Sequence, residues 1–303
     1  MNRSLEVLKA IYKPYRYTIK GKVTILETSS GDFIIKPKEK DLNELYNYLL
    51  SRGFDSFPKI IDSSRKDVNV FEMLEEVRTP KEQKCADLID TVASLHNKTS
   101  YFKEVTPDTY KAIYEDIKSN INYLENYFKT LYEIGFHEVF MSPSTYLYMR
   151  NYYKVKAALD FASNNLDDWF NLVSNETKIR VSVVHNNLEI NHFFENEKNA
   201  IISWDNYLID TPIIDIVKLY KKEYKNINFS EILSRYIYKF PLLDYEKKLL
   251  FILISLPPEI DNSQNEFERC QKMSDVLDYI FKTEELIRPY YSKKEKEENW
   301  NFN

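Results

Sequence analysis

The hydrophobic period of this chain changes once, near residue 77, and that change restricts the fold more than any other feature. Before it, short β-branched and aromatic runs at 15–20, 23–28 and 32–38 are separated by turn signals at Gly21-Lys22 and Ser29-Ser30-Gly31. Residues 41–51 then place Leu42, Leu45, Tyr46 and Leu49 on one helical face. Asp41 suits the N-cap with Glu44 three residues on, and Gly53 suits the exit. Residues 57–61 and 68–74 return as strands. Beyond residue 77 the period becomes helical. It runs through 81–96 and through 110–132, where Ile113, Ile117, Ile121, Leu124, Phe128 and Leu131 repeat and the helix is expected to stop before Gly135. Further helices are expected at about 144–172 and after 212. One β interruption breaks this half: 179–184, then 192–195 and 200–204 around a polar turn at 196–199. The pattern predicts an α+β chain of two lobes. Residues 1–76 form a β-rich N-terminal lobe of five antiparallel strands and one helix, and residues 77–303 a helical C-terminal lobe with an embedded β-hairpin.

Bulk properties exclude several classes of function. An apolar fraction of 43% over 303 residues supports a sizeable core. The formal charge of -5 is mixed along the chain without a basic block, so nucleic acid is not expected as a partner. The two cysteines, Cys85 and Cys270, give neither a disulfide framework nor metal-ligand spacing, as in a reducing cytosol. The first fifteen residues lack the apolar run of a signal peptide, and the most apolar stretch, 249–256, is too short to span a bilayer. The expectation is a cytoplasmic protein without membrane insertion. The charged tail from Ser292, ending in Trp300 and Phe302, reads as a solvated helix end or as a docking peptide.

The most informative stretch is VVHNNLEINHFFENEKNAIISWDN, residues 183–206, followed by DTPIIDIVKLY from 210. It resembles the catalytic segment of the protein-kinase-like aminoglycoside phosphotransferase/choline kinase family: a strand, H-G-D-L-x-x-x-N, a hairpin ending in I-D-W-D, and D-P-x-x-D-L opening a helix. The resemblance implies a bilobal protein-kinase-like fold with ATP and Mg²⁺ as cofactors. On that pattern His185 matches the loop-bracing histidine, Leu188 the buried leucine, Asp205 the metal-binding aspartate, and Asp210 and Asp215 the two that follow. Without the resemblance, His185 reads as a core or capping histidine, and Asp210 and Asp215 as helix-capping carboxylates.

The departures from the pattern bear on activity. Asn187 stands at the catalytic aspartate, and its amide cannot take a proton from a substrate hydroxyl. Asn186 replaces the glycine and is expected to fit poorly where backbone must come close. The metal-binding asparagine falls on His192 in straightforward register, a poor ligand for Mg²⁺, which demands hard oxygen donors; Asn191, one residue earlier, is the alternative. In the N-terminal lobe, Lys36 matches the strand lysine that meets nucleotide phosphates, with Lys38 on the same face. Glu44 is expected to pair with Lys36, although surface placement is the plain reading of Glu44. Phe71, Glu72, Met73 and Leu74 resemble the hinge that meets adenine, and Leu95-His96 the end of the first large-lobe helix. The turn at 20–24 has only Gly21 to cradle phosphate.

Histidine at the metal position, N-H-F-F, I-S-W-D and D-x-P-x-x-D look nearest to the kinase-like proteins of bacterial endospore coats (the CotS-type group). The Lys-, Asn-, Ile- and Tyr-rich composition is compatible with an AT-rich Firmicute genome. The resulting expectation is a catalytically impaired kinase-like protein, a pseudokinase with weak or no phosphotransfer. Its partners would be a nucleotide and spore-coat or other proteins. The alternative is an active ATP-dependent phosphotransferase acting on a sugar, amino alcohol or aminoglycoside hydroxyl.

Overall fold

Alternating burial makes the N-terminal sheet. Strands β1 (Arg16–Lys20), β2 (Val23–Thr28), β3 (Gly31–Pro37), β4 (Ile60–Asp62) and β5 (Val68–Glu72) pair antiparallel in the order β1-β2-β3-β5-β4. In the computed structural model, residues 2–195, 198–260 and 265–300 are described, with side chains between 4 and 291. The expected polar turn at 196–199 therefore lies partly outside the described residues, and the side chains of the charged tail lie wholly outside them. A helix not anticipated from the sequence, α1 (Asn2–Tyr12), buries Leu5 and Leu8 against Leu26, Ile35, Val68 and Val70 of the sheet. Strand β4 starts later than expected, because Pro58 removes a ladder donor and Phe57 turns into a cluster with Tyr46 and Phe54.

Helix α2 (Asn43–Ser51) begins after Asp41, whose Oδ1 accepts from the Asn43 N–H at 3.1 Å. It ends in a left-handed Gly53 (φ 73°), with Gly53 N–H donating to Leu50 O and Phe54 N–H to Leu49 O, both 2.9 Å. Helix α3 (Lys81–Thr99) follows; His96 at its end is fully buried.

The chain divides into two compact units, drawn differently from a boundary at 76/77. The first comprises 1–100, 182–210 and 238–240, so α3 and the motif segment belong with the N-terminal sheet. The motif segment joins this unit through hydrogen bonds such as Ile201 N–H to Ser56 O and Val77 N–H to Glu195 O.

The second unit comprises 101–181, 211–237 and 241–303. It holds β6 (Tyr101–Glu104), α4 (Pro107–His137), α5 (Pro143–Val173), α6 (Ile213–Glu223), α7 (Phe229–Lys239), α8 (Asp244–Ser255) and α9 (Glu266–Trp300), α7 reaching the boundary at its end. Helix α5 packs against α4, α8 and α9. Helix α4 runs through Gly135 instead of stopping before it. A Cβ there would lie 2.8 Å from Met149 Sδ and 2.9 Å from Thr145 Cγ2, so this glycine serves close packing between α4 and α5. Among the described residues, no helix is long and apolar enough to cross a membrane.

Candidate active site

Strand β7 (Lys178–Val184) pairs through its last residues with β10 (Leu208–Asp210), and the motif segment lies between these strands. It contains a 3₁₀ turn at Ile190–His192, the two-residue strands β8 (Phe193–Phe194) and β9 (Ala200–Ile201), and a second 3₁₀ turn at Trp204–Asn206. The hairpin is thus shorter than the sequence pattern implies. Trp204, fully buried, anchors it, packing edge-on against His185 at 5.0 Å and Phe54 at 6.3 Å.

The loop after β7 is fastened to the hairpin by hydrogen bonds. His185, fully buried, donates from Nε2 to Ile202 O at 2.8 Å, which fixes that nitrogen as the protonated one. Asn186 adopts a left-handed backbone (φ 60°), a conformation asparagine tolerates better than most residues that carry a Cβ. Its Nδ2 donates to Asn206 O at 2.9 Å. The expected misfit at Asn186 does not occur, because its backbone takes the glycine-like turn and its amide braces the neighbouring turn. Leu188 is fully buried, and Asn187 is half-buried.

His192 uses both ring nitrogens within this loop. Nδ1 donates to Asn187 O at 2.9 Å, and Nε2 stands 2.9 Å from Glu189 Oε1. Both ring nitrogens are thus engaged within the loop and directed away from the pocket lining. Asn191 is exposed on the same 3₁₀ turn. Neither residue lines the pocket that Asp205 faces.

That pocket is about 50 Å³ and is lined by Lys36, Tyr46, Glu72, Leu74, Ser203 and Asp205 among others. Lys36 enters from β3, where it pairs with Asn69, and its Nζ donates to Ser203 Oγ at 3.1 Å. Burial holds the Lys36 ammonium below the usual lysine range, while the Asp205 and Glu39 carboxylates oppose that shift. Ser203 has φ 67° and ψ 50°, a costly backbone for serine, immediately before the turn that carries Asp205. Burial, with the Asp205 charge, pushes the Tyr46 phenol well up.

Other expected residues are placed differently. Glu44 is exposed, and it is Leu42 and Tyr46 that reach the pocket from this segment. The buried face of α2 is Leu45, Tyr46 and Leu49, and at 100° per residue Glu44 falls away from it. A Lys36–Glu44 pair is therefore not formed. Lys38 lies beyond the end of β3, with Nζ 3.6 Å from Asp41 Oδ2. Met73 is 38% exposed and its N–H donates to Asp32 O at 3.1 Å, while Glu72 accepts the Lys59 N–H at 2.9 Å. Gly21 (φ 58°) sits in a two-residue turn closed by the Lys20–Val23 pair, too short to wrap phosphates. Asp210 ends β10, and Asp215 is fully buried in the first turn of α6.

Tyr46, read in the sequence only as part of an apolar helical face, and Ser203, named only within I-S-W-D, are pocket residues to which the sequence pattern assigns no site role. Glu195 is another unanticipated residue near the pocket: it accepts a hydrogen bond from Thr79 Oγ1 and follows Phe194, which lines the pocket.

The donor set gives a partial fit to Mg²⁺. Asp205 faces the pocket, whereas the His192 ring is committed elsewhere and Asn191 is exposed. Among the described residues no group of three or more His, Cys, Asp or Glu could hold a metal ion. One carboxylate suits a Mg²⁺ that is held mainly by nucleotide phosphates. It does not make a two-ligand protein site.

No family model matches the sequence, and no curated protein matches it. Solved structures do. An aminoglycoside phosphotransferase from Alicyclobacillus acidocaldarius is similar with a TM-score of 0.66 at 9% identity, over 91% of this chain and 92% of that one. A spectinomycin phosphotransferase in complex with AMP is similar with a TM-score of 0.54 at 12% identity, over 92% and 98%. At these identities the likeness shows the fold, a kinase-like mixture of antiparallel sheet and helices.

Proposed function

We propose that this chain is a nucleotide-binding protein of the kinase-like fold whose phosphoryl transfer is strongly attenuated. The observation that carries the reading is the placement of Lys36 and Asp205 on one pocket while Asn187 and His192 are tied to each other outside its lining. Lys36 would meet nucleotide phosphates, and Asp205 would hold Mg²⁺ brought with them. The metal would neutralise charge on the phosphates. Asn187 offers an amide where a carboxylate would orient and deprotonate an acceptor hydroxyl, a contribution of about 10²- to 10⁴-fold.

The pocket is small, about 50 Å³, so it would enclose only part of a nucleotide. Of the hinge set, Phe71, Glu72 and Leu74 line the pocket and would meet adenine, whereas Met73 does not line it. AMP in one of the similar structures supports a nucleotide as the ligand. Kinship with the kinase-like proteins of endospore coats, and protein partners there, is a finer reading that rests on the residues of 185–215 alone.

The second reading is an active small-molecule phosphotransferase. Lys36 and Asp205 favour it, because phosphoryl transfer depends largely on positioning and electrostatics. A thermal-shift series with ATP, GTP and Mg²⁺ tests binding, and ATP turnover with sugars, amino alcohols and aminoglycosides tests activity. A Mg²⁺-ATP shift lost in Asp205→Ala, with turnover near background, is expected. Absence of any shift overturns nucleotide binding. Robust acceptor-dependent turnover abolished by Asp205→Ala overturns attenuation and establishes the second reading.

A further inference from the structure

Unit 2 contains an exposed apolar knob and an open apolar groove. The knob is the connection 138–142 between α4 and α5, where Val139 is 88% and Phe140 94% exposed, next to Met141 and to Phe136 on the last turn of α4. Its base is held by polar contacts. Ser142 Oγ caps α5 by accepting from Thr145 N–H at 3.3 Å, and Glu266 Oε1 accepts from Ser144 N–H at 2.7 Å. Gly135 brings α4 against α5 directly beneath. The apolar side chains are thus held out in solvent on a braced turn, where an isolated apolar cluster marks an interaction site.

The groove has a volume of about 480 Å³. Ala157 and Ala158 of α5 form its floor, and Tyr153, Phe161, Ile280 and Ile287 its walls. That size suits an inserted aromatic residue and its neighbours. Lys154 and Arg288 stand at the groove; Arg288 is shared with Glu284 at 2.6 Å, while Lys154 has no carboxylate within ion-pair distance among the described residues. At the knob, Glu133 is paired with Lys129 at 3.6 Å, whereas Glu138 has no cation within ion-pair distance among the described residues, so Glu138 at the knob and Lys154 at the groove are opposite uncompensated charges.

One chain cannot bring the two together. Helix α5 is continuous from Pro143 to Val173, which sets residue 157 about 20 Å along the axis from the knob. We propose that the knob of one copy, led by Phe140, seats in the α5/α9 groove of a second copy. The contact is heterologous: each copy retains a free groove or a free knob, and assembly proceeds to a ring or an open chain. The proposal is independent of the nucleotide reading, since all its residues lie in unit 2.

Sedimentation velocity on the full chain, between about 1 and 100 µM, tests it. Wild type is expected to grow with concentration beyond the 36.3 kDa monomer. Phe140→Asp and Ala157→Trp, both at exposed positions, are each expected to weaken association at least tenfold, roughly the loss of one interface hot spot. Circular dichroism and melting temperature verify that both variants fold. The decisive arm mixes them. The Ala157→Trp chain supplies an intact knob and the Phe140→Asp chain an intact groove, so the mixture should form 1:1 dimers that grow no further. A monomeric wild type at the highest concentration overturns the proposal. So does assembly that Phe140→Asp abolishes and Ala157→Trp leaves intact, which means knob-to-knob pairing, or a mixture of the two variants that stays monomeric.

Discussion

One side of the candidate pocket is built by β3 and the end of the hairpin, and it carries Lys36, Ser203 and Asp205 in one lining. The loop after β7 lies outside that lining, and there the His192 ring bonds to the Asn187 backbone carbonyl. The first side holds a partly desolvated cation with a carboxylate nearby, the pair that the proposed nucleotide binding would use, the carboxylate through Mg²⁺. The loop has what rigidity needs, a ring held between a carbonyl and a carboxylate, and lacks a proton acceptor at position 187. Asp205 lies 18 residues beyond Asn187 in the chain, whereas Lys36 comes from β3.

The largest expected effect tests that contrast directly. Asn187→Asp returns the negative charge and the proton acceptor, and should raise acceptor-dependent ATP turnover by about 10²- to 10⁴-fold over a near-background wild type. Adding His192→Asn should give more than the product of the two single effects, because both residues act on one transition state. Unchanged turnover in the double variant, across the acceptor panel, breaks the comparison: the loop would not be what limits the chemistry.

The next effect sits on the other side. At a nucleotide concentration of a hundred times Kd, binding to the folded state adds about 2.7 kcal/mol of stability. Lys36→Met and Asp205→Ala should each remove most of the corresponding Tm shift, and Asn187→Asp should leave it intact. Equal loss in all three variants would mean that the two sides do not divide the work.

How far this division is legible in the sequence depends on which forces place each residue. Lys36 and Asp205 are readable because strand period and the order of four landmarks fix them. The pocket roles of Tyr46 and Ser203 are not, because helical period puts Tyr46 on the buried face of α2 without directing it toward Asp205, and I-S-W-D does not say that its serine will accept a left-handed backbone. Glu44 shows the reverse failure, a charge placed by family analogy on a helix whose burial phase turns it outward. In the fold, α1 was recoverable from the spacing of Leu5, Leu8 and Tyr12, whereas Gly135 read as a stop signal. Its actual role depends on Met149 and Thr145 of another helix, a tertiary fact no local window contains. His192 is the sharpest case. Its identity was plain, but its commitment to Asn187 and Glu189 emerges only when the 3₁₀ turn is formed.

A smaller effect follows from that commitment. His192→Asn alone should cost about 1–2 kcal/mol of stability, the loss of two partly buried hydrogen bonds. It should leave the nucleotide shift unchanged, because Asp205 and Lys36 are untouched. Chemical denaturation with and without Mg²⁺-ATP reads both quantities. A lost shift would place His192 in the binding side after all.

The smallest effect concerns Glu195, which sits beside Phe194 of the pocket wall. Its backbone carbonyl accepts from Val77 N–H at 2.9 Å, and its carboxylate accepts from Thr79 Oγ1, tying the hairpin to the segment after β5. Burial raises its carboxyl above the usual range, helped by Asp87 and Glu76 and opposed by Lys84. The folded state therefore holds this proton more tightly than the unfolded chain. The stability it contributes is complete below the ordinary carboxyl range, about 4.3, and is lost as pH rises through the raised folded value. Glu195→Gln stays neutral throughout and keeps an oxygen for Thr79. The variant should match wild type near pH 4 and exceed it at pH 7. Parallel denaturation curves from pH 4 to 8 measure the difference. If the wild type instead gains stability over the variant as pH rises, the charged carboxylate is stabilised by the nearby Lys84, and the hairpin is fastened by an ion pair instead of a protonated acid.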